Sequence, residues 1–342
     1  MALRPRPEWS LRGHVAVITG GSRGLGLLLA RELAREGCQL AICARDEAEL
    51  GRARADLEAR GATVHTGRCD VSDRRDVERF VADVITRFGG IDLLVNNAGI
   101  IKVGPLEAMT VGDFEEAMRV NFWGVVYPVL AVLPMMRAQG GGRIVNVTSI
   151  GGKVSVPHLL PYTSAKAAAV AFSHGLRAEL AGEGVTVVTV VPGLMRTGSY
   201  LNASFKGNSE AESVWFALGS TLPGVSMDAE RAARQIVRAA KRGDAEAILS
   251  VPAWLLARMQ ALFPGTTADI LARVSQLLPQ PKADGQGIVR GHEALARTQS
   301  GLLHLLTRLG RSAAQRFGQH PGPAVATRPG PPRPAPVREH AG

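Results

Sequence analysis

The sequence predicts an α/β protein in which a doubly wound, parallel sheet of about seven strands is covered by helices on both faces. Three observations predict it. Short β-branched runs recur along the chain: HVAVIT (14–19), QLAICA (39–44), TVHTG (63–67), IDLLV (91–95), RIVNVT (143–148), VTVVTVV (185–191) and AEAILSV (245–251). Between them lie stretches such as LLLARELAREG and DVERFVADVITRFG, apolar at three- and four-residue spacing, which is helical periodicity. The alternation of the two patterns is that of βαβ units, whose crossovers make neighbouring strands run parallel.

The later part of the chain departs from this rhythm. Gly193 to Asp228 reads as a long loop carrying Met195, Tyr200, Phe205, Trp215 and Phe216, and a loop of that length with apolar residues suits a lid. After the seventh run, Pro252 to Leu278 reads as two helices divided at Phe263-Pro264-Gly265, with Pro252 placed at a helix start. PQPKADGQG then reads as a linker, and HEALARTQSGLLHLLTRLGRSAAQRF as an amphipathic helix with Leu295, Leu302, Leu306 and Leu309 on one face. The last 25 residues, rich in proline and arginine, have the composition of a disordered tail. No internal repeat is visible.

Composition bounds the function. With 342 residues, 46% of them hydrophobic, the chain can build a sizeable core. Cys38, Cys43 and Cys69 form no C-x-x-C pair and leave one over in any disulfide scheme, so buried, inert thiols in a reducing, cytoplasmic setting are expected. The start, MALRPRPEWSLRG, is basic but has no apolar export core, and charges interrupt the apolar segments before they reach spanning length. The formal charge of +10 sits mostly in the tail: beyond Pro281 there are nine basic against three acidic residues, a surplus of six. No module combining aromatic and basic residues for nucleic acid is evident.

The first strand runs into TGGSRGLGLLLARELA, Thr19 to Ala34. Glycines at 20, 24 and 26 let the backbone turn tightly and approach a pyrophosphate seated on the N-terminal dipole of the following helix. The pattern T-G-x-x-x-G-x-G resembles the cofactor loop of the short-chain dehydrogenase/reductase family, and further landmarks follow in order. NNAG (Asn96–Gly99) follows the fourth strand, Asn121 lies in RVNFWG and Ser149 ends the fifth strand in VNVTSI. Tyr162 and Lys166 then form Y-x-x-x-K, and Pro192-Gly193 closes the sixth strand with Thr197 beyond. The resemblance covers roughly residues 13 to 251. It implies a Rossmann-like catalytic domain over 14–251, with the lid at 193–228, an arm at 1–13, carboxy-terminal helices at 252–280 and a basic tail at 281–342. The glycine spacing differs from T-G-x-x-G-x-x-G of the epimerase branch, which favours an oxidoreductase.

The resemblance supplies roles, and physical chemistry says whether they are sensible. Residues four apart stand on one helical face, so Tyr162 and Lys166 can share a pocket. A phenol with an ordinary pKa near 10 is a poor base at neutral pH; lowering it by ~3 units takes about 4 kcal/mol, which a close ammonium and an oxidised nicotinamide can provide together. The resemblance implies that Ser149 hydrogen-bonds the substrate oxygen and that Tyr162 exchanges its proton. It further implies that Lys166 holds the nicotinamide ribose and that Asn121 positions a water behind Lys166. The implied cofactor-binding set is Thr19, Gly20, Ser22, Arg23, Gly24, Leu25, Gly26, Arg45, Asp70, Val71, Asn97, Ala98, Gly99, Tyr162, Lys166, Pro192, Gly193 and Thr197. No metal site is expected.

NADP(H) is expected over NAD(H). In an NAD-preferring member an acid ends the second strand, whereas here Ala44 holds that place and Arg45 follows, with Arg23 in the glycine loop to share a 2′-phosphate. Asp46 is the counter-argument, should the strand run further. The expected substrate is a hydrophobic ketone, aldehyde or alcohol. A homo-oligomer and a peripheral membrane contact through the carboxy-terminal helices are the further partners to test, and a cofactor-binding scaffold without turnover is the competing class. His158, between Ser149 and Tyr162, reads as an incidental loop histidine or a substrate contact.

Overall fold

A computed structural model describes residues 8–222, 224–281, 287–298 and 307–319. The seven expected strands are β1 (Val15–Thr19), β2 (Gln39–Ala44), β3 (Val64–Arg68), β4 (Leu93–Asn96), β6 (Gly142–Val147), β7 (Val185–Val191) and β11 (Glu246–Ile248). They form one parallel sheet in the order β11-β7-β6-β4-β1-β2-β3. All five residues of β1 and the inner residues of β2 are buried, because helices cover both faces.

On one face, α1 (Gly24–Arg35), α2 (Glu47–Glu58) and α8 (Ala229–Arg242) pack Leu29, Leu33, Leu57 and Ile236 against Ile18, Leu40 and Val188. On the other, α3 (Arg74–Phe88), α5 (Gly124–Ala138) and α6 (Leu160–Glu179) pack Phe80, Val84, Val129 and Leu176 against Val17, Leu94 and Val187. Helix starts follow local chemistry: the carboxylates of Asp46, Asp73 and Asp228 accept backbone N–H groups at the first turns of α2, α3 and α8. All three cysteines are free and buried, as expected. Burial pushes the Cys38 thiol up to about 12, with the charges of Glu36 and Asp92 adding to the effect.

Helix α4 (Val111–Met118) passes through a π-helical turn, Arg119–Trp123, into α5. The continuous run Val111–Ala138 is long and apolar enough to cross a membrane, contrary to the expectation that charges interrupt every such segment. It serves as a core helix here, with Val129, Val132 and Met136 fully buried among α3, α6 and the sheet.

Three further expectations are corrected. Gly193–Asp228 is not a loop: it holds short strands β8 (Met195–Arg196), β9 (Ser204–Phe205) and β10 (Met227–Asp228), with the thirteen-residue helix α7 (Ser209–Thr221) between β9 and β10. The Asn208 side chain and the acids Glu210 and Glu212 supply the start of α7, while its apolar spacing is too irregular to reveal it (Asn208 accepts from Ala211 N–H at 3.4 Å). The arm and the tail are not separate from the domain either. Trp9 stacks on Arg143, and the chain after 287 returns to the body as β12 (Val289–Arg290), α11 (Gly291–Ala296) and α12 (Arg308–Arg316). β12 pairs with β9, which also pairs with β5 (Lys102–Val103). The single amphipathic helix expected over 292–317 is interrupted after Ala296, at Arg297-Thr298; residues 299–306, like the tail from 320 onward, lie outside the described residues. As expected, α9 (Val251–Leu262) and α10 (Pro264–Ser275) are divided at Phe263-Pro264.

Candidate active site

The strand order reverses at β1, whose neighbours β2 and β4 are connected on opposite sides, and a crevice opens at the carboxyl ends of those strands. A continuous cavity of about 780 Å³ occupies it. One half is walled by the glycine turn, the end of β2, Asp70 and Val71; the other by Val156, Leu159, Trp215, Phe216 and Leu256. Ser149, Tyr162 and Lys166 stand where the halves meet.

The glycine turn is built by close approach. Gly20 has φ +64°, and a Cβ there would come within 2.9 Å of the Ala98 backbone; one on Gly26 would lie 2.1 Å from the Gly20 carbonyl oxygen. Thr19 is buried, and its Oγ1 accepts the N–H groups of Asn97 (3.0 Å) and Ala98 (3.1 Å). The Asn97 amide donates back to the carbonyls of Thr19 and Gly20, at 3.0 and 3.2 Å. Thr19 therefore holds the NNAG segment against the turn instead of lining the cavity. Gly24 is also off the wall, because its N–H donates to the Phe317 carbonyl (2.8 Å) and the Gln319 side chain lies over it.

At the far end of the nucleotide half, β2 stops at Ala44 and Asp46 is committed to capping α2, where it accepts Glu49 N–H at 2.8 Å. The strand does not run on to Asp46, although Asp46 lines the cavity beside Arg45. Arg45 is exposed at the rim. Arg23 is paired with Glu49 at 2.8 Å, and Ser22 Oγ donates to the same carboxylate at 2.9 Å. Sequence reasoning missed Glu49, whose position three residues after Asp46 reads as helix capping alone.

The Ser149-Tyr162-Lys166 cluster rests on α6, the 3₁₀ turn Ile150–Gly152 and the end of β6. Ser149 Oγ accepts Gly151 N–H at 3.0 Å, which leaves its own proton free to donate. Glycine at 151 lets the Tyr162 ring and Ser149 approach, since a Cβ there would lie 3.3 Å from the ring and 3.4 Å from Oγ. Lys166 Nζ donates to the Val147 carbonyl at 3.1 Å and lies 6.0 Å from the Tyr162 ring centre. Burial pushes the Tyr162 phenol above its ordinary value, although a hydrogen bond with Ser149 opposes this. Burial also pushes the Lys166 ammonium down to about 8. In the cofactor-free protein the net effect on the Tyr162 phenol is therefore upward.

Asn121 is fully buried in the π-helical turn. Its Oδ1 accepts Ile100 N–H (3.1 Å) and its Nδ2 donates to the Ile100 carbonyl (3.0 Å), so the side chain fastens the segment after NNAG. It does not line the cavity. A Cβ on Gly99 would stand 2.8 Å from Asn121 Oδ1 and 3.6 Å from Lys166 Nζ, so glycine there keeps both groups close. His158 is likewise off the wall. It adopts φ +62° and its Nδ1 lies 2.7 Å from Oε1 of the buried Glu212, whose Oε2 accepts Trp215 Nε1–H at 2.6 Å. Its role is to tie the loop before Tyr162 to α7 and to fix Trp215 as a wall.

The remaining expected residues, Gly20, Ser22, Arg23, Leu25, Gly26, Arg45, Asp70, Val71, Asn97, Ala98, Gly99, Pro192, Gly193 and Thr197, all line the cavity. Asp70 is preorganised, with Oδ1 accepting the N–H and hydroxyl of Ser72 at 2.9 and 2.8 Å. Arg290, Gln319 and Leu256 also line it and were not expected. Nothing in their sequence surroundings marks them, because the residues they approach are distant in the chain.

A glycine turn opening α1 at the switch point, joined through a Ser-Tyr-Lys cluster to an apolar chamber, defines a dinucleotide-dependent α/β oxidoreductase. Comparison narrows the class: residues 14–205 match the short chain dehydrogenase family model. The chain belongs to that family and is a dehydrogenase/reductase. It is 39% identical over 198 residues to a dehydrogenase/reductase SDR family protein 7-like protein of Anopheles gambiae, matching 56% of this chain and 62% of that relative. It is 33% identical over 267 residues to an oxidoreductase of Mycobacterium tuberculosis, SadH, covering 78% and 92% of the two chains. Among solved structures, a Burkholderia phymatum short chain dehydrogenase/reductase in complex with NAD superimposes with TM-score 0.70 at 26% identity, covering 78% of this chain and 96% of that one. An actinorhodin polyketide ketoreductase with NADPH does so with TM-score 0.62 at 30% identity, covering 70% and 96%.

Proposed function

We propose that the protein interconverts a hydrophobic ketone or aldehyde and its alcohol with NADP(H), using Tyr162 as proton donor and acceptor. The observation that carries this reading is the position of Ser149, Tyr162 and Lys166 at the junction of the nucleotide half and the apolar half of one cavity. The bound cofactor supplies or accepts the hydride. Ser149 donates to the substrate oxygen as negative charge develops there, and Tyr162 delivers its proton to that oxygen in reduction or withdraws it in oxidation. Burial favours the protonated phenol in the free protein, the form a reduction needs. Lys166 supplies positive charge beside Tyr162 and a donor toward the nicotinamide half.

The residues present fit a phosphorylated dinucleotide. Helix α1 has neither a capping side chain nor an acid in its own first turn, which puts its positive dipole at the cavity wall; Gly24 N–H is taken by the Phe317 carbonyl and the nearest carboxylate is Glu49, paired with Arg23 and Ser22. Arg45 and Arg23 line the cavity at the end of β2, where Ala44 stands last in the strand; Asp46, which caps α2, and Glu49, which pairs with Arg23, line it too. A panel of lipophilic carbonyls, read by NADPH consumption and mass spectrometry with Tyr162→Phe as control, tests the reaction; activity that survives the substitution sinks the mechanism. Arg45→Ala should impair NADPH use far more than NADH use, and equal loss of both would remove the argument for NADP(H).

We also propose that the α9–α10 hairpin rests on an anionic lipid surface. Eight large apolar side chains between Val251 and Leu277 are exposed, among them Val251 (72%), Leu262 (70%) and Leu277 (85%). Only Arg258, Asp269 and Arg273 interrupt residues 251–278 with charge. Trp254 stacks with Arg258 at 5.4 Å, pairing an amphipathic ring with a cation, and the chain beyond 281 adds a positive surplus. Leu256 of the same hairpin lines the cavity, which gives a lipophilic substrate a short path from such a surface.

A further inference from the structure

Two segments wall the apolar half of the cavity: the loop before α6, through Val156 and Leu159, and helix α7, through Trp215 and Phe216. Leu159 and Phe216 belong to one buried apolar cluster, and Val156 and Trp215 pack against it. A fully buried carboxylate fastens the two segments to each other. Glu212, three residues before Trp215 in α7, has Oε1 2.7 Å from His158 Nδ1, and its Oε2 accepts Trp215 Nε1–H at 2.6 Å. Its desolvation has to be offset by those charge-assisted contacts, so both partners are held in place.

The backbone at the other end of the clamp is strained. His158, at φ +62°, is the one non-glycine residue with positive φ among the described residues, and its carbonyl accepts Gly104 N–H at 2.8 Å, just past β5. Such a conformation persists where its surroundings over-determine it, and ligand clamps are among the places where it collects.

The result is a fixed aromatic corner on the cavity wall. The rings of Trp215 and Phe216 stand 5.7 Å apart with 89° between their planes, and both residues line the chamber. Nε1, the only polar atom of the indole, is turned to Glu212, so the ring offers the chamber apolar and π surface alone. A flat ring entering this corner meets one aromatic neighbour at its face and the other at its edge, the arrangements aromatic pairs prefer; an alkyl chain gains contact area only.

We propose that the His158–Glu212–Trp215 clamp makes the chamber selective for aryl carbonyl compounds, with Trp215 as a specificity-determining wall and Glu212 as a positioning residue that acts through it. The inference rests on the carbonyl-reduction reading above and narrows its substrate class. A clamp that serves the fold alone is the competing account; it lowers turnover of every substrate in proportion.

The test uses the full chain with acetophenone and octan-2-one, matched in carbon number. In NADPH-dependent turnover, wild type should favour acetophenone in kcat/KM by about tenfold or more. Trp215→Leu and Glu212→Leu should bring that ratio to within about threefold of unity, mainly by raising KM for acetophenone, with NADPH binding kept. Glu212→Gln, whose amide can still accept from Trp215 and meet His158, should retain the ratio. A second readout needs no turnover: in protein labelled with nitrogen-15 tryptophan, the Trp215 indole resonance, assigned by its loss in Trp215→Leu, should shift saturably with acetophenone in the presence of NADP⁺ and much less with octan-2-one. Selective binding without turnover of either ketone would tell against the reductase reading and uphold the clamp. Equal preference for the two ketones in wild type, a preference unchanged in Trp215→Leu, equal loss in Glu212→Gln and Glu212→Leu, or an indole resonance indifferent to acetophenone would each overturn the proposal.

Discussion

At the scale of single residues, the site depends on what burial does to two titratable groups. Lys166 has a pKa of about 8 in the folded, cofactor-free protein against 10.5 ordinarily, so at neutral pH its burial costs about 3 kcal/mol. Between pH 8 and 10.5 the unfolded chain holds a proton that the folded one has released, and stability therefore rises with pH across that window. Urea melts of wild type and Lys166→Met across pH 7–10.5 should show the rise in the first and its loss in the second; parallel curves would refute the buried cation. Tyr162→Phe should lower kcat by about 10²–10⁴-fold while nucleotide binding persists, as measured by turnover and titration. Glu49 holds Arg23 and Ser22, the groups that the NADP(H) proposal assigns to the 2′-phosphate. Glu49→Gln should therefore tighten NADPH binding relative to NADH, and an unchanged ratio would show that Arg23 does not read the phosphate.

At the scale of elements, α7 and β9 matter because they close the apolar half, and a buried charge cluster anchors them. Asp113, capping α4, accepts from Lys102 Nζ of β5 and from Lys206 Nζ just past β9, both at 2.6 Å, and all three are nearly inaccessible. Burial itself pushes the Asp113 carboxyl up, but hydrogen bonds from Lys102, Lys206 and Thr110 outweigh it and hold the carboxyl well below its usual range. Its stabilising contribution is complete above the ordinary carboxylate pKa and is lost as pH falls below it. Asp113→Asn strands the buried Lys206 ammonium and leaves Lys102 with Glu116, at 2.5 Å, and should destabilise by about 3–5 kcal/mol in denaturant melts. Lys206→Met should cost much less, since Asp113 keeps Lys102. These elements were not legible as structure in the sequence: β5, β8, β9 and β10 are two residues each, too short for alternation to register, and the start of α7 depends on one asparagine.

At the scale of the whole molecule, the body and its extension share one core, and the α9–α10 hairpin carries a dense group of exposed apolar side chains among the described residues. Flotation with vesicles containing anionic phosphatidylserine should recover the full-length protein, with phosphatidylcholine vesicles recovering less. Leu255→Asp with Leu262→Asp should abolish recovery without changing the melt. Recovery unaffected by those changes would discard the lipid proposal, and a concentration-dependent dimer lost in the same variant would assign the hairpin to a second copy instead.

The main sheet, the glycine turn and the α9–α10 break were legible from local patterns of strand and helix periodicity and turn residues, and the Ser149-Tyr162-Lys166 set from the ordered motifs of the family resemblance. Such signals survive in a linear reading because the interacting residues are near neighbours in the chain. What the tertiary structure decided was which groups compete for the cavity. It made Thr19 fasten NNAG to the glycine turn and Asn121 fasten the segment after it, used Asp46 as a helix cap, set Glu49 against Arg23, and brought Gln319 to Gly24. Each of these depends on close packing between distant segments or on which of two hydrogen-bond partners wins, and neither is encoded in the spacing of residues along the chain.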